Sequence, residues 1–172
     1  MPRIVDARME LGDVTVHNLK QLKKLNAVIL PVAYSDKFYT DVLELGNLAK
    51  LAYYNDVVVG GVCCRIDHEG DKRKLYIMTL GCLAAYRRHG VGTMLFNHVM
   101  KIAKEDGNID CIFLHVQVSN DEAITFYKKF GFEIVGKKEN YYKRIDPPDA
   151  FILQKEMKTS NGSEESEQNT SK

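Results

Sequence analysis

The sequence predicts an α/β (α+β) domain in which a mixed, mostly antiparallel sheet is flanked by helices. Three observations predict it. Apolar runs of strand length recur at 48–54, 57–66, 75–80 and 111–118. The last two lead into stretches with helical spacing, 93–104 and 121–130. Between residues 54 and 57 a short Asn55-Asp56 turn joins two strand-like runs into a hairpin.

In chain order, residues 9–14 read as a first strand. Leu19, Leu22 and Leu25 mark the inner face of a first helix. Leu30-Pro31-Val32 interrupts it, because proline cannot donate to a helix and pushes the residue before it towards extended geometry. Ser35 or Asp36 caps a second helix through Phe38, Tyr39, Val42 and Leu43, which Gly46 ends. The polar stretch 67–74 is expected to link the second hairpin strand to the strand carrying Tyr76. Further on, Ser119-Asn120-Asp121-Glu122 contains a Ser-x-x-Glu capping box, Ala123, Ile124, Phe126, Tyr127 and Phe130 follow helical spacing, and Gly131 supplies a C-terminal stop. Two last strands, 132–135 and 149–157, flank a tyrosine-rich connection. From residue 158 the chain is Ser, Asn, Glu and Gln with almost nothing to bury, so a disordered tail is expected. The organisation is an N-terminal extension (1–8), one domain (9–157) and a polar tail (158–172), without internal repeats.

Bulk properties agree with an ordinary soluble protein. At 172 residues there is room for one substantial core. Lys and Arg total 24 against 23 Asp and Glu, which leaves no net field to hold nucleic acid or a membrane surface. The first eight residues lack the apolar centre of a signal peptide, and no run has the length of a spanning helix. A cytosolic protein is expected, with the nucleus as a second compartment. Cys63, Cys64, Cys82 and Cys111 lie in or beside strand-like runs with no Cys-x-x-Cys pair and no His at ligand spacing, so buried reduced thiols are expected and no metal.

Two segments carry the chemistry. Arg87-Arg88-His89-Gly90-Val91-Gly92 follows a strand-like run and opens a helix. Its glycines let successive backbone N–H groups approach an anion, and the helix N-terminus and two arginines add positive charge. A pyrophosphate cradle results. The spacing is neither a Walker loop nor a Rossmann fingerprint. Arg-x-x-Gly-x-Gly in this context resembles the acetyl-coenzyme A signature of the GCN5-related N-acetyltransferase (GNAT) family. The second segment, Asn120-x-x-Ala123-x-x-Phe126-Tyr127-x-x-x-Gly131-Phe132, is similar to the other half of that family's cofactor site, where the Asn and Tyr side chains face the coenzyme. The order of elements also matches the family's fold over 9–157, with strands splayed around acetyl-coenzyme A. The resemblance implies acetyl-coenzyme A as cosubstrate, held by Leu80, Gly81, Cys82, Leu83, Arg87, Arg88, His89, Gly90, Val91, Gly92, Thr93, Asn120 and Tyr127.

Acetyl transfer to an amine needs a neutral nucleophile, a donor for the developing oxyanion and a route for the excess proton. A peptide α-amine, with a reference pKa of about 8, costs roughly 1 kcal/mol to deprotonate at pH 7, whereas a lysine at about 10.4 costs nearer 5. A weak base working through water is enough for the first. Strand alternation puts Tyr76, Met78 and Leu80 on one face of 75–80, and His115 on one face with Phe113 and Gln117. With the two strands adjacent and splayed, Tyr76 and His115 flank the amine with a water between them. Backbone amides around Met78-Thr79-Leu80 are the expected oxyanion donors, because the family's strand carries a bulge there. Cys82 lies near the expected thioester position, but nothing beside it in sequence marks a base, which disfavours an acetyl-cysteine route.

Substrate choice is expected to rest on Leu30, Pro31, Val32 and Tyr34 and on Tyr141, Tyr142 and Ile145, an apolar pocket for the first residue of an extended peptide. No acidic cluster accompanies them, as a polyamine or histone-tail site would want. Within the family, the motifs Leu75-Tyr76-Ile77-Met78-Thr79-Leu80-Gly81-Cys82-Leu83 and Asn140-Tyr141-Tyr142-Lys143-Arg144-Ile145 resemble enzymes that acetylate protein N-termini. That resemblance implies N-termini that retain Met, preferably before an apolar second residue, with Tyr76 and His115 catalytic and Leu30, Pro31, Val32, Tyr34, Met78, Tyr141, Tyr142 and Ile145 lining the peptide site. It also implies docking on the ribosome-bound N-terminal acetyltransferase A complex, through its auxiliary and catalytic subunits, and a role in sister-chromatid cohesion. Two positions depart from the pattern: Leu30 stands where a Phe is expected and Ala85 where a Pro precedes Tyr86. Leucine keeps that wall apolar but loses a flat ring. The alternatives are an acetyltransferase for lysine side chains or small amines, and a coenzyme-binding scaffold subunit of a larger complex.

Overall fold

The computed structural model describes residues 8–30 and 32–157. The expected extension up to residue 7, Pro31 and the expected tail from 158 lie outside the described residues. The elements are β1 (Met9–Asp13), α1 (Leu19–Ile29), α2 (Asp36–Val42), β2 (Ala49–Tyr54), β3 (Val57–Glu69), β4 (Lys72–Cys82), α3 (Val91–Asp106), β5 (Cys111–Gln117), α4 (Asp121–Lys129), β6 (Glu133–Lys138) and β7 (Ala150–Glu156). This is the predicted succession of strands and helices, and the strands make a mixed seven-stranded sheet. The described residues divide into two compact units, 8–30 and 32–64 with 78–100, and 65–77 with 101–157.

In the first unit β1 pairs antiparallel with β2 from Met9↔Tyr54 to Asp13↔Lys50, and β2 pairs antiparallel with β3 from Ala49↔Cys63 to Tyr54↔Val57. Asn55 (φ 48°) and Asp56 (φ 69°) both take the left-handed conformation that a two-residue hairpin turn of right-handed strands requires. Leu22, Tyr39, Val42, Ala49, Leu51 and Cys63 form the core. Adjacent glycines on β3 let helices approach both faces: a Cβ on Gly61 would meet Leu22 of α1 at 3.1 Å, and one on Gly60 would meet the Gly81 carbonyl oxygen at 2.8 Å and Val91 of α3 at 3.1 Å. Ser35 caps α2, its hydroxyl accepting from Phe38 N–H at 3.2 Å. The helix stops at Val42 rather than running to Gly46. The amides of Leu43, Glu44 and Leu45 each bond three residues back, which tightens the chain into a 3₁₀-type turn before Gly46.

In the second unit β4 pairs in parallel with β5 from Lys74↔Cys111 to Tyr76↔Phe113, β5 pairs antiparallel with β7 from Cys111↔Glu156 to Gln117↔Ala150, and β6 pairs antiparallel with β7. Two expectations are corrected here. Residues 67–74 are not a link: β3 runs to Glu69 and β4 starts at Lys72, with Gly70 (φ 60°) between them. Charged pairs, Arg65–Asp67 at 2.9 Å and Lys74–Glu69 at 2.7 Å, take the place of apolar alternation on this exposed hairpin. The N-cap of α4 is Asn120, not Ser119, since Asn120 Oδ1 accepts from Ala123 N–H at 3.2 Å. The C-terminus of α4 is a Schellman motif, with Phe132 N–H on Tyr127 C=O at 3.1 Å, Gly131 N–H on Lys128 C=O at 3.0 Å, and Gly131 at φ 92°.

Gly60→Ala is expected to destabilise the protein by about 1–3 kcal/mol, because the new methyl meets backbone that cannot step aside. Urea denaturation of the variant beside the wild type checks this.

Candidate active site

The parallel register of β4 and β5 sets Tyr76 opposite Phe113, with ring centroids 4.7 Å apart. His115 is two residues further along β5 and therefore on the same face. Its Nδ1 lies 2.8 Å from Tyr76 Oη, within hydrogen-bond distance. Tyr141 completes a cluster. Its ring stacks on the imidazole at 4.5 Å and 17°, its hydroxyl lies 3.3 Å from Tyr76 Oη, and Tyr142 packs edge-on against it at 5.0 Å. The connection that carries these tyrosines is tied down at several points: Asn140 N–H donates to Asp149 Oδ1 (2.9 Å), Tyr142 N–H to Pro148 C=O (2.8 Å), and Gln117 Nε2 to Pro147 C=O (2.9 Å). Ile145 on the same connection is half-buried.

Burial pushes the His115 pKa down to about 4, helped by Lys138 and Arg65. The imidazole is therefore neutral at physiological pH and free to accept a proton. Burial, with Tyr141 beside it, pushes the Tyr142 phenol up to about 12, so this hydroxyl stays protonated. Sequence reasoning did not single out Arg65, whose guanidinium lies 4.9 Å from the centre of the Tyr76 ring, or Lys138, 5.7 Å from that of Tyr141. Each comes from a different strand, and no spacing marks it.

In the first unit the residues predicted to form an anion cradle lie at and after the end of β4. After Leu80, Gly81, Cys82 and Leu83 comes the 3₁₀ turn Ala84–Tyr86, followed by exposed Arg87, Arg88 and His89 and then Gly90 at φ 89°, whose carbonyl accepts from Met94 N–H as α3 begins. The amides of Val91, Gly92 and Thr93 are the first of α3, where a helix offers no carbonyl one turn back, a position that suits an anion. Leu83 N–H to Val59 C=O (2.8 Å) and Arg87 Nε to Cys82 C=O (3.3 Å) anchor the loop, and Tyr54 packs on Tyr86 and His89. Cys82 is a poor nucleophile. Burial raises its thiol pKa and Arg87 offsets only part of that. All four cysteines are free and buried.

Of the expected peptide-binding residues in this unit, Leu30 and Val32 are half-buried, and Tyr34 donates to the Met78 carbonyl at 3.4 Å while packing on Phe38 at 4.5 Å. That bond joins the segment after α1 to β4. In the second unit, Asn120 uses its carbonyl oxygen as the α4 cap and has only its amide N–H groups left to donate, and Tyr127 is buried against Phe126 and Phe132. Among the described residues no cluster of His, Cys, Asp or Glu is placed to hold a metal ion.

Residues 19–132 match the acetyltransferase (GNAT) family. The chain belongs to that family. Like the other GNAT proteins it is an acetyltransferase that uses acetyl-coenzyme A as donor, and the glycine-bounded N-terminus of α3 fits the pyrophosphate of that cosubstrate. The chain is 68% identical over 150 residues to the probable N-acetyltransferase san of Drosophila melanogaster, covering 87% of this chain and 82% of that one. It is 64% identical over 152 residues to N-alpha-acetyltransferase 50 of Danio rerio, covering 88% and 90%. Among solved structures, Arabidopsis thaliana Naa50 in complex with the bisubstrate analogue CoA-Ac-MVNAL superposes with a TM-score of 0.81 at 47% identity, over 87% of this chain and 99% of that one.

Because the His115 pKa lies below that of an unfolded histidine, the unfolded chain binds more protons between about pH 6.5 and 4, and this site's contribution to stability falls as pH drops through that window. Urea denaturation from pH 7 to 4 is expected to show a smaller acid loss for His115→Phe than for the wild type.

Proposed function

We propose that this GNAT enzyme transfers acetyl from acetyl-coenzyme A to the free α-amine of protein N-termini that retain Met, preferably before an apolar second residue. The observation that carries the mechanism is the 2.8 Å contact between Tyr76 Oη and the Nδ1 of a neutral, half-buried His115. Likeness to N-alpha-acetyltransferase 50 and to a homologue solved in complex with a CoA-Ac-MVNAL analogue, whose peptide begins with Met, supports the choice of substrate.

Acetyl-coenzyme A brings the thioester. The neutral α-amine attacks its carbonyl carbon, a C–N bond forms as C–S breaks and coenzyme A leaves as its thiolate, and the proton shed by the amine passes through a water to Tyr76 Oη, which hands its own to His115 Nδ1. The two bases thus work in series. Backbone amides of Met78, Thr79 and Leu80 are the proposed oxyanion donors. A histidine this weakly basic suits an α-amine of reference pKa about 8 far better than a lysine at about 10.4. Leu30, Pro31, Val32, Tyr34 and Met78 are the proposed peptide-binding residues of the first unit, and Tyr141, Tyr142 and Ile145 those of the second. An unbranched Met side chain adapts to such irregular apolar surroundings.

The same reading assigns the protein to the cytosol and nucleus as the catalytic subunit of an N-terminal acetyltransferase E, docked on the auxiliary and catalytic subunits of the N-terminal acetyltransferase A complex at the ribosome, with a part in sister-chromatid cohesion. The resemblance of the sequence motifs supports it.

Acetyl transfer to a Met-Leu peptide, the same peptide with a blocked α-amine, and a Ser-starting peptide tests the proposal. Transfer is expected only to the free Met terminus, with turnover falling about 100-fold or more in Tyr76→Phe and in His115→Ala. Equal labelling of the blocked peptide would favour a lysine acetyltransferase, and cofactor binding without transfer would favour a scaffold.

A further inference from the structure

Two cations border the Tyr76–His115–Tyr141 cluster. Arg65, from β3, lies over the Tyr76 ring at 4.9 Å, and Asp67 grips its guanidinium with contacts of 2.9 and 3.4 Å. Lys138, the last residue of β6, lies 5.7 Å from the centre of the Tyr141 ring. Asp67 offsets part of the Arg65 charge, and the other groups around the imidazole bring no negative charge to it. From β4 comes Tyr76, while Lys74 of that strand lies over Phe113 at 5.7 Å. The connection before β7 brings Tyr141 and Tyr142, and Ile152 faces His115 across the β7 ladder. Among the described residues no carboxylate is bonded to His115, and Asp67 is held by Arg65. Burial and the two cations act on the imidazole in the same direction.

We infer that Arg65 and Lys138 are positioning residues whose fixed charges hold His115 and the incoming amine in their neutral forms, with Asp67 keeping Arg65 over Tyr76. For the identity of the amine this rests on the N-terminal reading above. A positive charge near the acceptor disfavours the ammonium, so part of the deprotonation of an α-amine is electrostatic and not done by the base. A lysine amine starts too far above neutrality for the same push to suffice.

The test is the pH dependence of kcat with the Met-Leu peptide for wild type, Arg65→Met, Lys138→Met and the charge-keeping Arg65→Lys and Lys138→Arg, beside an NMR titration of the His115 imidazole in each. Each charge-removing variant is expected to move the rising limb of kcat, and the His115 midpoint, upward by roughly half a pH unit, the effect of one partly screened charge several Å away. The charge-keeping variants are expected to leave both in place. Lower turnover with both midpoints unmoved in the Met variants would overturn the inference and leave Arg65 and Lys138 as packing residues. Equal shifts in the Lys and Arg variants would overturn it too. The imidazole titration needs no substrate, so absence of transfer by the wild type would sink the N-terminal reading while the effect on His115 is still decided.

Discussion

The site depends on one parallel register, Tyr76 opposite Phe113, because that pairing sets His115 beside the Tyr76 hydroxyl. Side chains alternate along a strand, so a slip of one residue would turn His115 to the other face of the sheet and break the pair. Parallel neighbours cannot be joined by a short turn, and the crossover between β4 and β5 contains α3. The register of β5 is held on its other edge by an antiparallel ladder with β7 that runs its whole length. The element that aligns the histidine therefore lies along the entire strand and not only at the site.

Under the proposed mechanism this arrangement lets weak acids and bases suffice. The imidazole is stacked on one tyrosine and bonded to another, and half-burial lowers its basicity while these contacts fix its orientation. In the proposed reaction, fixed geometry substitutes for basic strength because the nucleophile is only about a unit above neutrality. A covalent route through Cys82 is disfavoured on the same grounds, since its buried thiol is pushed away from the thiolate form.

Much of this was legible in the residues. The apolar periods of β2, β5 and α3, the Asn55-Asp56 hairpin and the Gly131 stop follow local rules that survive folding, and strand alternation put His115 on a face with Phe113. What was misread has local competitors. Ser119 and Asn120 are both good caps, and backbone geometry one residue later decides between them. The tip of the β3–β4 hairpin carries charged pairs in place of apolar alternation, so residues 67–74 read as a polar link. Arg65 and Lys138 were invisible because their meaning comes from what stacks beneath them, and neither the 65-to-76 nor the 138-to-141 separation carries a motif. The 2.8 Å contact of Tyr76 with His115 depends on side-chain reach that alternation does not report.

The most direct measurement is a crystal structure of this protein with coenzyme A and a Met-Leu peptide. The peptide α-nitrogen is expected within hydrogen-bond reach of Tyr76 Oη, directly or through one water, with the Tyr76–His115 bond kept and the pyrophosphate on the first amides of α3. A peptide whose amine lies away from Tyr76 and beside Cys82, or a coenzyme that leaves the amides of Val91, Gly92 and Thr93 unused, would contradict this mechanism.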